Sequence, residues 1–187
     1  MTSPEAAQPK AFSGGRVKAL VDAVRALARA ERRGDLASLR RLDPAHPFAP
    51  AFFALLSAHA RWAQDDEEVR RCACLVQILA IRPEALTERS LGKALAETFG
   101  GTIETRVQKL LCAGDDALPD QARLLARRLA GAGVLPYRDF GALLLAPDEA
   151  ALERARLAIA MDYWRALDRS DRDTGSSSAP ISDPEID

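Results

Sequence analysis

Arginine and lysine recur at helical spacing along this chain, and phosphate recognition is the one chemistry that the spacing suggests. Arg25, Arg29 and Arg32 stand four and three residues apart, which places them on one face of a helix. Arg40 and Arg41 end the next run, Arg106 and Lys109 form a third pair, and Arg123 and Arg127 a fourth. A guanidinium is a planar fork that donates two parallel hydrogen bonds to one phosphate, so such faces can hold a polyanion. The same spacing also describes solvated helix faces stitched by i,i+4 ion pairs, and each stripe taken alone fits that plainer reading.

Other chemistries find little to work with. Cys72 and Cys74 flank one alanine. On a helix, residues two apart point about 200° from each other, so the two thiols cannot grip one ion. Cys112 adds only a third thiol where structural zinc takes four ligands; core packing is expected for the cysteines. His46 lies between prolines and His59 on a helical stretch, and each suits packing or surface. No His-Asp pair, metalloprotease motif or nucleophile elbow is present, and Gly100-Gly101 lacks the Walker pattern. The acids at 65–68 suit a helix start, where the dipole favours negative charge. An enzyme is therefore not expected, nor a metal or cofactor.

Charge is local rather than global. The formal net charge is -1, yet residues 16–41 hold eight bases against three acids, and residues 168–187 six acids against two bases. Local charge decides where a polyanion can lie. Lysine supplies only Lys10, Lys18, Lys93 and Lys109 of the 26 bases. Three cysteines make no disulfide framework, residues 1–10 lack the apolar segment of a signal peptide, and no stretch approaches a membrane span. A cytoplasmic, reduced chain is expected.

The elements that must carry these groups read as helices throughout. Apolar residues are 48% and aromatics 5% of the chain, so leucine, alanine and valine must fill the core. Val17, Leu20, Val21, Val24 and Leu27 form one stripe, which Gly34 ends; Asp35 can cap a short second helix. Pro50 opens a third, with Phe52 or Phe53, Leu56, His59 and Ala63 on one face. A fourth follows the acids, with Val69, Cys72, Leu75 or Val76, and Leu79 inward. Further helices are expected near 91–99, after Thr102, from Pro119, over 137–145, and from Pro147 with Leu152, Ala155, Ile159 and Tyr163 inward. No segment reads as a strand. The expectation is an all-α fold: a compact bundle of about eight or nine helices, in one body or two small helical lobes. Residues 1–12 form a flexible arm, 13–170 the helical domain and 171–187 a disordered acidic tail.

Taken in order, several segments sharpen this picture: Gly34-Asp35-Leu36-Ala37-Ser38-Leu39-Arg40-Arg41, then Pro50-Ala51-Phe52-Phe53, then Ser90-Leu91-Gly92-Lys93-Ala94-Leu95-Ala96. Ile103, Arg106-Val107, Leu110-Leu111, Gln121-Ala122-Arg123-Leu124-Leu125 and Asp162-Tyr163-Trp164 follow. Their order and spacing resemble the small-subunit (CasB) family of the type I-E CRISPR surveillance complex, Cascade. Where that family often has Asp-Trp, this chain has Pro136-Tyr137, and Asp148 and Glu149 replace basic residues of some relatives.

The resemblance implies a non-catalytic subunit in antiviral defence. Such a subunit pairs with a second copy of itself, contacts the Cascade backbone and large subunits, and stabilises the R-loop of guide RNA and target DNA. It implies nucleic-acid-binding roles for Arg40, Arg41, Lys93, Arg106 and Arg123, with Lys109 and Arg127 added by helical adjacency. Leu39, Leu91, Val107 and Leu125 would be the core positions that aim them. The competing reading is a helical protein–protein adaptor with no direct nucleic-acid role.

Overall fold

Residues 72–80 are buried without exception, so the helix that carries them has no solvent face over more than two turns. That helix, α4 (Asp66–Ile81), forms the centre of the fold. Its sequence explains both ends of its behaviour. Asp65 caps it, the carboxylate accepting from the Glu68 amide at 2.7 Å, and acids fill its first turn. The run Cys-Ala-Cys-Leu-Val-Gln-Ile-Leu-Ala is apolar all round, the pattern of a helix enclosed by others. The single inward face expected for this segment is corrected by that run.

The structure is a computed structural model and describes residues 14–175. The expected arm at 1–12 and residues 176–187 of the expected tail lie outside the described residues. Around α4 stand α1 (Gly14–Arg29), α2 (Arg33–Arg40), α3 (Pro50–His59), α5 (Leu91–Phe99), α6 (Glu104–Leu111), α7 (Leu118–Gly131), α8 (Tyr137–Leu144) and α9 (Glu149–Gly175). The last extends five residues past the expected start of the tail. The buried residues form one continuous cluster from Val17 to Ala166, so the chain folds around one core rather than as two lobes. Among the described residues no helix is long and apolar enough to cross a membrane.

Several elements depart from the sequence reading for local reasons. Glu31, at φ 53°, turns the chain after α1, and Gly34 falls inside the first turn of α2 rather than ending α1. Asp35 is not a cap; it pairs with Arg32 at 2.5 Å. On α3 the buried pair is Phe52 and Leu55, while Phe53 and His59 are exposed. Thr102 does not cap α6; its hydroxyl donates to the Phe99 carbonyl at 2.6 Å within a 3-10 turn, Gly100–Ile103. One short extended pair has no counterpart in the sequence pattern: β1 (Leu86–Thr87) runs parallel to β2 (Leu135–Pro136), with Leu86 opposite Leu135.

The closest helix crossing is that of α5 and α9. A Cβ on Gly92 would stand 2.6 Å from the Tyr163 amide nitrogen and overlap the Ile159 carbonyl oxygen. Ser90 locks the crossing: its hydroxyl donates to Asp162 of α9 at 2.5 Å and accepts weakly from the Lys93 amide at 3.5 Å. From α8, Asp139 accepts the Leu91 amide at 2.5 Å. Three residues of the Ser-Leu-Gly-Lys motif thus fix where α5 meets its neighbours.

Candidate nucleic-acid interface

A helix ends with four carbonyls that have no partner inside it, and this protein answers two of them, and other carbonyls in the connections between elements, with arginine. Arg40, at the end of α2, donates from Nε to the Ala80 carbonyl of α4 at 2.6 Å. Arg82 reaches the Ala130 carbonyl at the end of α7 at 2.9 Å. Arg71 reaches Ala146, just past α8, at 3.0 Å, and Arg156 reaches Ala113, just past α6. Arg25 donates to Leu86 of β1 at 2.7 Å, with its guanidinium 5.8 Å from the Tyr137 ring centre. Gln77 completes the α2–α4 clasp from the other side. Its amide donates to the Leu42 carbonyl at 2.9 Å and to Arg40's carbonyl at 3.3 Å.

These contacts divide the basic residues read from the sequence. The stripe of Arg25, Arg29 and Arg32 is engaged within the protein: Arg25 inward, Arg29 on the Arg25 carbonyl at 3.4 Å, and Arg32 on Asp35. Arg40 holds α4. Lys93 lies 3.6 Å from Glu97, which also pairs with Arg89. Arg123 pairs with Asp120 at 2.7 Å. It lines a groove with Asp43, Glu67, Asp115, Asp116, Asp120, Arg70 and Arg71, so acids outnumber bases there.

Arg41, Arg106, Lys109 and Arg127 differ from these. All four are exposed, and among the described residues their side chains make no ion pair or hydrogen bond. Core residues on the same helices set their direction. Val107 and Leu110 are buried on α6, opposite Arg106 and Lys109. Leu125, Ala126 and Leu129 are buried on α7 while Arg127 and Arg128 are exposed. Helix α6 packs on α7. Leu39 is buried on α2, next to Arg41's turn. Arg128, exposed beside Arg127, was missed by the sequence reading, although the Arg-Arg pair in the α7 sequence was a visible signal.

The thiols are core groups in two cases of three. Burial pushes the Cys72 thiol up to about 12 and the Cys74 thiol up to about 11, so neither supplies a thiolate near neutral pH. Cys112 is exposed instead, a correction to its expected packing role. His46 and His59 are both on the surface, His46 with Nδ1 3.3 Å from Asp43. Among the described residues no group of three or more His, Cys, Asp or Glu is placed to hold a metal ion.

The family model described as CRISPR-associated protein Cse2 matches residues 35–164, more than two thirds of the chain. No curated protein and no solved structure matches it. The match runs from the first turn of α2 to Trp164 on α9, and so takes in the α2–α4 clasp and the α5–α9 crossing described above. The chain belongs to the Cse2 family, the small subunit of the type I-E Cascade complex of CRISPR defence.

Proposed function

We propose that this chain is a non-catalytic subunit that steadies the R-loop of a type I-E Cascade by holding nucleic-acid phosphates on basic helical surfaces. The observation that carries the reading is that four of the seven basic residues assigned to nucleic-acid binding from the sequence, Arg41, Arg106, Lys109 and Arg127, are exposed and without internal partners. A cation already satisfied by a carboxylate must break that pair to bind phosphate, whereas these four need only shed water and counterions. Arg40, Lys93 and Arg123 remain in the proposal as supporting groups, since Arg40 anchors α2 and the other two are surface pairs of small worth. Exchange of one duplex for another in an R-loop is nearly balanced, so a few such contacts can tip it. The further partners are the Cascade backbone and large subunits, guide RNA, target DNA and a second copy of the chain, in the cytoplasm.

The test is the salt dependence of target-DNA binding by the assembled complex. With Arg41→Ala, Arg106→Ala and Arg127→Ala combined, the slope of log K against log salt flattens by roughly 2–3, about 0.7–0.9 for each phosphate no longer neutralised. An unchanged slope rejects the reading.

One observation favours the adaptor reading. Leu157, Met161 and Trp164 recur at helical spacing on α9 and are all exposed, at 62%, 42% and 43%. A face of that kind suits a protein partner. If the adaptor reading is right, the triple variant assembles and binds DNA as the natural chain does, while Leu157→Asp with Met161→Asp blocks assembly.

A further inference from the structure

Phe48 is the most exposed large apolar side chain among the described residues, at 78%, and its position is built rather than slack. It follows Pro47 and precedes Ala49-Pro50, which opens α3. The Phe48 amide donates to the His46 carbonyl at 2.7 Å and the Ala49 amide to the Pro47 carbonyl at 3.0 Å. Upstream, Asp43 closes the loop by accepting from the Ala45 amide at 3.0 Å. Prolines at 44, 47 and 50 restrict the backbone further. Phe53, 46% exposed, adds a second ring, its centre 6.4 Å from that of Phe48 and tilted by 42°.

A single exposed apolar residue is ordinary. Here, however, the ring borders an open depression of about 620 Å³ that Arg41 and His46 also line, with Gly34 and Ala37 as small residues in its wall. The Arg41 side chain has no ion pair or hydrogen bond among the described residues. The acid on this wall, Asp43, is engaged by the Ala45 amide and His46. An exposed ring and an unpaired guanidinium lining one depression supply the pairing that single-stranded nucleic acid needs: a π-face for a base and a cation for its phosphate.

We propose that Phe48 is a stacking platform for an unpaired base of single-stranded nucleic acid, with Arg41 holding the adjacent phosphate. The proposal rests on the nucleic-acid reading above and adds to it the strand type and a contact to bases. A protein partner seated on Phe48 and Phe53 is the opposing possibility.

The full-length chain is titrated at low salt against labelled oligothymidine and against an abasic strand of the same length, with fluorescence anisotropy as readout. Phe48→Ala weakens binding to oligothymidine by about 5- to 150-fold and leaves binding to the abasic strand unchanged. Phe48→Trp retains the affinity. Arg41→Ala weakens binding to both strands and lowers the salt slope by about 0.7. Equal affinities of Phe48→Ala and the natural chain for oligothymidine overturn the stacking proposal while leaving the R-loop reading to its own test. A Phe48→Ala chain that binds DNA normally but fails to join the complex assigns the ring to a protein partner and overturns it too. If the natural chain binds neither strand, the platform is rejected, and the slope measured on the assembled complex still decides the function.

Discussion

At the scale of single residues, the arginines of this protein fall into two working groups that composition cannot separate. Arg40 and Arg41 are neighbours in sequence, yet Arg40 spends its guanidinium on the Ala80 carbonyl and Arg41 spends none. Arg40→Ala is therefore expected to lower stability by about 1–3 kcal/mol, because a helix-end carbonyl loses a charged donor. Arg41→Ala stays within about 0.5 kcal/mol. Urea unfolding of the two variants checks the contrast; equal losses would show that the clasp does not hold. Gln77→Ala removes the other half of the same clasp and leaves the Leu42 carbonyl without its donor. A loss of about 1–3 kcal/mol is expected there, seen as a drop in thermal midpoint that Arg106→Ala does not share.

Among the elements, the crossing of α5 and α9 is the most constrained. Gly92→Ala pushes a methyl into the α9 backbone and is expected to destabilise the fold by about 1–3 kcal/mol or more. Gly114→Ala meets nothing within 4 Å and serves as the silent control in the same melt. The α5 N-terminus adds a pH dependence. Burial first, and then the charge of Asp162, hold the Asp139 carboxyl above its ordinary value, against the opposing pull of the Leu91 amide and Arg138. A raised value means that the folded chain keeps this proton after the unfolded chain has released it. Stability therefore falls as pH rises from about 4 through Asp139's titration, and the cost persists above it. Asp139→Asn keeps an oxygen for the Leu91 amide and removes the charge. It should be as stable as the natural chain in acid and more stable at neutral pH, as read from urea midpoints across pH. A variant less stable at both would contradict this.

The elements also show where sequence reading ends. The extent of α7 was legible because Pro119 and the glycines at 131 and 133 punctuate the chain at its borders. Asp65 and its following acids marked the start of α4 for the same reason. What could not be read was which side of a helix meets which neighbour. The clasp by Gln77 and Arg40 joins residues 37 apart, and no local pattern encodes it. The basic stripe was misjudged because α1 ends at Arg29, so Arg32 leaves the helix face that spacing gave it, and because spacing does not say that Leu86 waits beneath Arg25. Lys93 and Arg123 were legible as surface cations, but the acids that pair with them on their own helices, at i+4 and i−3, were given too little weight.

For the molecule as a whole, one core carries nine helices among the described residues and leaves Arg41, Arg106, Lys109 and Arg127 outward on three of its helix ends and faces. The chain belongs to a family of Cascade subunits, and the proposed role asks of these cations only small, sequence-independent contacts. The most direct measurement is the lifetime of the R-loop on assembled Cascade containing either the natural chain or the triple variant Arg41→Ala, Arg106→Ala, Arg127→Ala, with assembly confirmed in both. A lifetime shortened at least tenfold, with the difference shrinking as salt is raised, is predicted from removing about 1.4 kcal/mol or more of phosphate binding. Equal lifetimes at every salt concentration would contradict the claim that these side chains hold the strands.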